Sequence, residues 1–220
     1  MTTLTETRHA GEFIVSEANG ARSRASIVVS SVAAAALVAG AVLGKIDADN
    51  SSIVAAAVAG NTGNGACTVS DPAFASGVKV GVYRTTCIEP ASDGGTFRVE
   101  DPDGIDIGVA EVGTEFDGPV KFTIADGGTD FVAGDAFTIT VASGSGEYVL
   151  YDPTNDDGSN IPAAILYDEA DATSADADAV AIVRDAEVNA DELTWFSGAT
   201  TNQKAAALAL LAENQGIVSR

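Results

Sequence analysis

The 220-residue chain carries 32 Asp and Glu against 11 Lys and Arg, a formal charge of -21, which argues against binding a nucleic-acid backbone through released counterions. It is long enough for one large β domain or two small ones, each with its own core. Aromatic residues make up only 6% while Ala, Gly, Val, Thr and Asp abound, a composition of short strands, many turns and small-residue packing: mainly β.

Residues 1–20 are polar, end in Asn19-Gly20 and hold only Phe13-Ile14-Val15 as an apolar anchor. They read as an arm, and residues 12–16 have the β-tolerant character that adds to a partner's sheet edge. An ordinary frayed terminus is the plainer alternative. Residues 27–44 then run without a charge behind the basic Arg22 and Arg24, which has the look of a signal anchor. Ala33, Ala34, Ala35, Ala36, Ala39, two Ser and two Gly make that run too weakly apolar to insert well. A buried strand, an Ala-rich bend and a second strand are expected instead, with no membrane segment. In the absence of a signal peptide the chain is expected to fold in a reducing cytoplasm, with Cys67 and Cys87 as free thiols; a bridge formed after release from the cell is the alternative.

From about residue 47 the texture changes. Gly60-Asn61-Thr62-Gly63-Asn64-Gly65 reads as a glycine-rich linker. Strand-like runs follow at 66–69, 78–88, 96–100, 105–112, 120–125 and 136–142. They are separated by Asp71-Pro72, the stretch 89–95, Asp101-Pro102-Asp103-Gly104, Asp117-Gly118-Pro119 and Asp126-Gly127-Gly128, all able to reverse a chain. Six or seven short strands at this spacing predict an Ig-like β-sandwich. Val78, Val80 and Val82 alternate, as do Phe137, Ile139 and Val141, and both sets are expected to face the core. Ser143-Gly144-Ser145-Gly146 would close the insert as flexibly as it opened.

After the insert, residues 147–152, 161–167 and 180–188 read as strands around a turn at 153–160. Thr200-Thr201-Asn202-Gln203 has capping-box spacing ahead of a helix over 204–213, with Leu208 and Leu211 on one side and Gly216 as terminator.

Catalytic constellations are poorly supplied. His9 is the only histidine and sits in the arm, so no Ser-His-Asp or Cys-His site is expected, and neither Cys has a CxxC partner for a metal. The many Asp residues lie chiefly in turns, where they bond their own backbone. Asp101-Pro102-Asp103-Gly104-Ile105-Asp106 and the turn after Asp152 admit a calcium reading, yet the first has its glycine too early for an EF-hand loop and no Glu at the required distance. Tight turns are the preferred reading, and no cofactor or metal is expected. Trp195 is the only tryptophan: a core position or a contact with another protein would each suit it.

Two blocks carry a resemblance: Arg8-His9-Ala10-Gly11-Glu12-Phe13 with Ser16-Glu17-Ala18-Asn19-Gly20, and Ile182-Val183-Arg184-Asp185-Ala186-Glu187-Val188-Asn189, supported by the phrase Ala39-Gly40-Ala41-Val42-Leu43-Gly44-Lys45-Ile46. In this order they resemble the head decoration protein family of tailed bacteriophages. The resemblance covers about 1–46 and 147–220 and implies a discontinuous domain: an arm at 1–20, a β domain from 21–48 and 147–220 with a short C-terminal helix, and an inserted sandwich at 49–146. It further implies a non-enzymatic homotrimer on the outer surface of the expanded phage head, made in the host cytoplasm. The partner would be the major capsid protein, met at local three-fold positions through an arm that orders on docking. By position the arm residues would be Thr5, Glu6, Arg8, His9, Glu12, Phe13, Ile14 and Val15, with Trp195, Phe196, Arg184 and Glu187 as candidates for trimer or capsid contacts. The insert would project outward, toward neighbouring trimers or host-surface glycans. The competing class is a surface β-sandwich adhesin that binds glycans, which would need an export signal.

Overall fold

The computed structural model describes residues 8–75 and 77–220. In chain order, β1 (Ile14–Glu17) leads through the single turn α1 (Gly20–Ser23) to β2 (Arg24–Val29), β3 (Ala36–Leu37) and β4 (Val42–Lys45). Eight strands follow: β5 (Ala48–Ala57), β6 (Ala66–Phe74), β7 (Gly81–Ala91), β8 (Gly94–Glu100), β9 (Asp106–Glu111), β10 (Glu115–Asp117), β11 (Val120–Ala125) and β12 (Ala136–Ser143). Then come β13 (Tyr148–Leu150), β14 (Pro162–Leu166), β15 (Ala170–Asp171), β16 (Ala177–Ile182), β17 (Ala186–Val188), the helix α2 (Thr201–Gln215) and β18 (Ile217–Ser219). The chain is mainly β with one long helix near its C-terminus. It divides into two compact units, one running to Ile46 and resuming at Gly146–Arg220, the other formed by Asp47–Ser145.

In the first unit β13, β2, β16, β14 and β4 close into a barrel. Period-two alternation sorts its side chains into two sets. Ile27, Val29, Ala41, Leu43, Ala164, Leu166 and Ala181 form one cluster, and a barrel of so few strands has room inside for little more than such small and branched residues. Their chain neighbours Val42, Ile165 and Ile182 belong to a second cluster, covered by Phe13 and by Ala207 and Leu211 of α2. Thr200 caps α2 through a reciprocal box with Gln203, and Gly216 ends it at φ 67°. The uncharged run 27–44 is spent on the end of β2, a 3-10 turn at Ser31–Ala33, β3 and β4. Ile27, Val29, Leu37 and Leu43 of that run are buried, while Val32 on its bend is exposed. No helix among the described residues is long and apolar enough to cross a membrane.

The second unit is a sandwich of a five-stranded sheet, β5-β12-β7-β8-β9, and a three-stranded sheet, β10-β11-β6. Tyr83, Phe97, Phe137 and Ile139 of one sheet meet Phe74, Phe122 and Ile124 of the other in a single core. Phe131 stands edge-on to Phe97, with ring centroids 5.0 Å apart.

Several expectations are corrected here. Among the described residues the sandwich has eight strands, two more than the marked runs: β5, built largely of Ala, Ser and Asp, carries little strand signal of its own, and β10 is only three residues long. The run Gly60 to Gly65 is no linker but a turn inside the unit: Asp135 accepts from the Thr62 and Gly63 amides and Asn61 exchanges hydrogen bonds with Ala136. Asp71-Pro72 lies within β6, which tolerates proline as the margin of its sheet. Of the Val78/Val80/Val82 set, Val78 packs against the core, but Val80 and Val82 do not. The strand begins only at Gly81, and Tyr83, Thr85 and Cys87 point inward while Val80 and Val82 are 40% and 50% exposed. The bulky Tyr83 ring fixes which face is buried. Phe137, Ile139 and Val141 do face the core.

Candidate functional site

The sheet β1-β17-β18 lies outside the barrel, with β1 at its margin. Among the described residues β17 is the strand on which β1 pairs, antiparallel, with Ile14 opposite Val188 and Glu17 opposite Ala186. Phe13 anchors the strand with 0% exposure, and Val15 on the same strand is 56% exposed. A marginal strand of this kind presents unpaired backbone groups and can accept a further strand.

The segment leading into β1 is held to the body at separated points. Arg8 donates through Nη1 to the Glu192 carbonyl and lies 3.5 Å from the Glu192 carboxylate. The His9 amide donates to Glu12 Oε2 at 3.0 Å, and the Gly11 amide to the Tyr167 carbonyl at 2.8 Å. At the far end of β1, Arg24 Nε donates to Glu17 Oε2 at 3.1 Å and Nη2 to Glu17 Oε1. Ser23 Oγ donates to the same carboxylate at 2.6 Å. The Arg24 guanidinium also sits 4.1 Å from the centre of the Tyr167 ring. Hydrogen bonds from Arg24 and then from Ser23 hold the Glu17 carboxyl below the usual carboxylate range, and the same Glu17 contact raises Arg24.

The sequence places residues 1–20 in an arm, and from Arg8 onward the structure differs: this stretch is folded onto its own unit. The reason is Phe13, whose burial beside Val42, Ile165 and Val188 outweighs the polar composition around it. Arg8, Glu12, Phe13 and Ile14 therefore make contacts within the unit, whereas Val15 faces out; Thr5 and Glu6 lie outside the described residues. Gly11, Glu17, Ser23, Arg24, Tyr167 and Glu192 are not among the arm or interface residues expected from sequence. Their one local signal is the Asn19-Gly20 turn, which brings Glu17 back over Ser23 and Arg24.

The other interface candidates separate. Trp195 and Phe196 are half-buried and stack edge-on against Tyr151, with centroids 6.4 and 6.1 Å away. Glu187 joins the margins of the small sheet: it accepts from Ser16 Oγ at 2.9 Å and from Arg220 Nε at 3.1 Å. Arg220 first and Ser16 second hold its carboxyl low. Arg184 is exposed, and its amide donates to the Ser23 carbonyl at 3.4 Å.

The acidic turns are occupied by their own chain. Asp101 accepts from the Asp103 and Ile105 amides and from Lys79 Nζ, which also binds Asp103. Asp152 accepts from the Thr154 amide and hydroxyl. Among the described residues, Asp93, Asp126 and Asp130 bring oxygens within 4.8 Å of one another, a grouping that sequence distance conceals. Cys67 and Cys87 are free thiols, and burial pushes Cys67 up to about 12, far from thiolate chemistry at neutral pH.

Two crystal structures of FlgL from Xanthomonas campestris, in space groups H3 and C2, show 23% and 21% identity with TM-scores of 0.31. Each covers 47% of this chain, which spans 33% of the FlgL chain. No individually curated protein matches. The family described as bacteriophage lambda head decoration protein D matches residues 3–217, a span that reaches into both units and contains β1 and β17 entire. The chain belongs to this family of phage lambda head decoration proteins, which are structural proteins of the phage capsid.

Proposed function

We propose that the barrel unit assembles as a homotrimer on the outer surface of the expanded head, at local three-fold positions, and clamps neighbouring copies of the major capsid protein. A capsid-protein strand adds beside the N-terminal segment, at the open margin of β1. The observation that carries this reading is the placement of β1: it is anchored from below by Phe13, paired on β17, and exposed at Val15. Three such margins on one trimer convert weak strand additions into strong binding by raising effective concentration. Trp195 and Phe196 offer rigid rings for contacts around the docking site. The inserted sandwich is presented away from the capsid, for contacts with neighbouring trimers or host-surface glycans. The work is mechanical and needs neither catalysis nor a cofactor.

The test is addition of purified protein to undecorated, expanded heads, followed by their resistance to heat. Decorated heads should survive a temperature that opens undecorated ones. Removing residues 1–15 would take Phe13 out of the core, so the arm should be truncated before Arg8 and β1 challenged separately by Val15→Pro. Proline at a marginal strand removes an amide and blocks strand addition. Trimers of Val15→Pro that still bind heads as tightly as wild type would overturn the strand-addition reading.

A further inference from the structure

We propose that Arg24 is a positioning residue that locks β1 in place before docking, so that the open margin is already formed in the free protein. The observations are independent of one another. Arg24 grips the last residue of β1, Glu17, through paired hydrogen bonds. The face of the same guanidinium lies on Tyr167 at 4.1 Å, which fixes where that grip can sit. Tyr167 in turn holds the segment on the other side of β1: its carbonyl accepts from the Gly11 amide at 2.8 Å. Its ring approaches so closely that a Cβ on Gly11 would lie 2.6 Å from Cε2. One arginine and one tyrosine thus bracket β1, touching the segment before it and its final residue.

Geometry explains why this needs arginine. A planar fork can bind a carboxylate with two donors while its face stacks on a ring, and an ammonium cannot do both. The bracket also closes over a short strand, for β1 pairs with β17 through a register shift between Ile14 and Ser16. A strand so short, at a sheet margin and interrupted by a bulge, has little hold of its own. With the bracket in place, the ordering cost of this stretch is met on folding rather than on binding, and a partner strand meets a prepared edge. That consequence for docking rests on the proposed function; the bracket itself does not.

Two measurements separate them. Amide hydrogen exchange on the free protein should show the peptide 12–18 protected in wild type. In Arg24→Gln its protection should fall about tenfold, while peptides from β14 and β16 keep theirs. Arg24→Lys, retaining the charge without the fork, should restore only part of it. Wild-type exchange in 12–18 as fast as an unfolded peptide, or equal protection in wild type and Arg24→Gln, would overturn the bracket. On expanded heads, Arg24→Gln should bind about tenfold more weakly as the binding energy absorbs the ordering. Loosened exchange with undiminished binding would overturn the link to docking. Failure of wild type itself to bind heads would sink the proposed function and leave the exchange result standing.

Discussion

The barrel unit and the inserted sandwich build β cores in one alanine-rich, acidic chain by opposite means. The barrel cluster is made of Ala41, Ala164, Ala170, Ala172 and Ala181 among a few Leu, Ile and Val, and its strands close on themselves. The sandwich leaves sheet margins open and fills its interior with Phe74, Tyr83, Phe97, Phe122, Phe131 and Phe137. Closure removes sheet edges and needs little bulk, while an open sandwich depends on large rings to bury enough area. In the barrel unit the margin at β1 belongs instead to the separate sheet β1-β17-β18, joined to the barrel strands through Phe13.

The sharpest way to break this contrast is to remove a ring. Phe97→Ala takes away a side chain that meets Phe131 at 5.0 Å and Phe137 at 5.9 Å, and should cost the sandwich about 4 kcal/mol. Trp195, the only tryptophan, reports the barrel unit alone. Its fluorescence transition in denaturant should stay where it is while the near-ultraviolet dichroism transition of the Phe bands, to which six of the eight phenylalanines contribute from the sandwich, moves to lower denaturant. Movement of both together would mean that the units do not unfold separately.

The converse substitution attacks the barrel. A Cβ on Gly44 would lie 1.9 Å from the Ser159 carbonyl oxygen, and backbone cannot move aside as a flexible side chain can. Gly44→Ala should cost about 3 kcal/mol, read this time by Trp195 with the sandwich transition unmoved. An unchanged Trp195 midpoint would show that the strands separate freely at this point, contrary to a tightly closed barrel.

Electrostatics separates the units next. Asp135 is 4% exposed. Burial pushes its carboxyl up, but the amides of Val132, Thr62 and Gly63 outweigh it and leave it below the usual value. A carboxyl lowered on folding stabilises above its unfolded value, near pH 4, and that contribution is lost as pH falls through the folded value. Asp135→Asn sets an NH2 group against amide donors and should cost the sandwich about 2 kcal/mol at pH 7. The gap between mutant and wild type should narrow below about pH 4. A gap that stays constant from pH 7 to pH 3 would mean that the carboxylate charge contributes nothing.

How much of this could be read from sequence follows from the same contrast. α2 was legible because its signals are local: Thr200, Gln203 and Gly216 act within a few residues. β12 was legible because Phe137, Ile139 and Val141 are large and regularly spaced. β5 was not, since its Ala and Ser residues gain strand character only from pairing with β12. The phase of β7 was misread because Val80 and Val82 resemble core residues locally, and only packing reveals that Tyr83 takes the inward place. The site behaved alike. Val15 and Phe13 stand in a recognisable block, but the bracket of Arg24, Glu17 and Tyr167 joins residues 7 and 143 positions apart, measured from Arg24, and the second of these separations leaves no periodic trace.

The smallest predicted effect runs in the stabilising direction. Thr85 is 0% exposed, points into the aromatic core beside Tyr83 and Cys87, and its hydroxyl has no hydrogen-bond partner among the described residues. A buried hydroxyl without a partner has lost its water and gained nothing in return. Valine has nearly the same shape and suits a strand equally well. Thr85→Val should therefore raise the sandwich transition by about 1 kcal/mol and leave Trp195 unaffected. No such gain is expected at the closest counterpart in the barrel unit, Ser159, also 0% exposed, because its hydroxyl bonds Asp157 Oδ1 at 2.6 Å and Asn155 Nδ2 at 2.8 Å. Destabilisation by Thr85→Val would instead show that the hydroxyl finds a partner in solution, making the sandwich interior a polar-tolerant core rather than one held by ring packing alone.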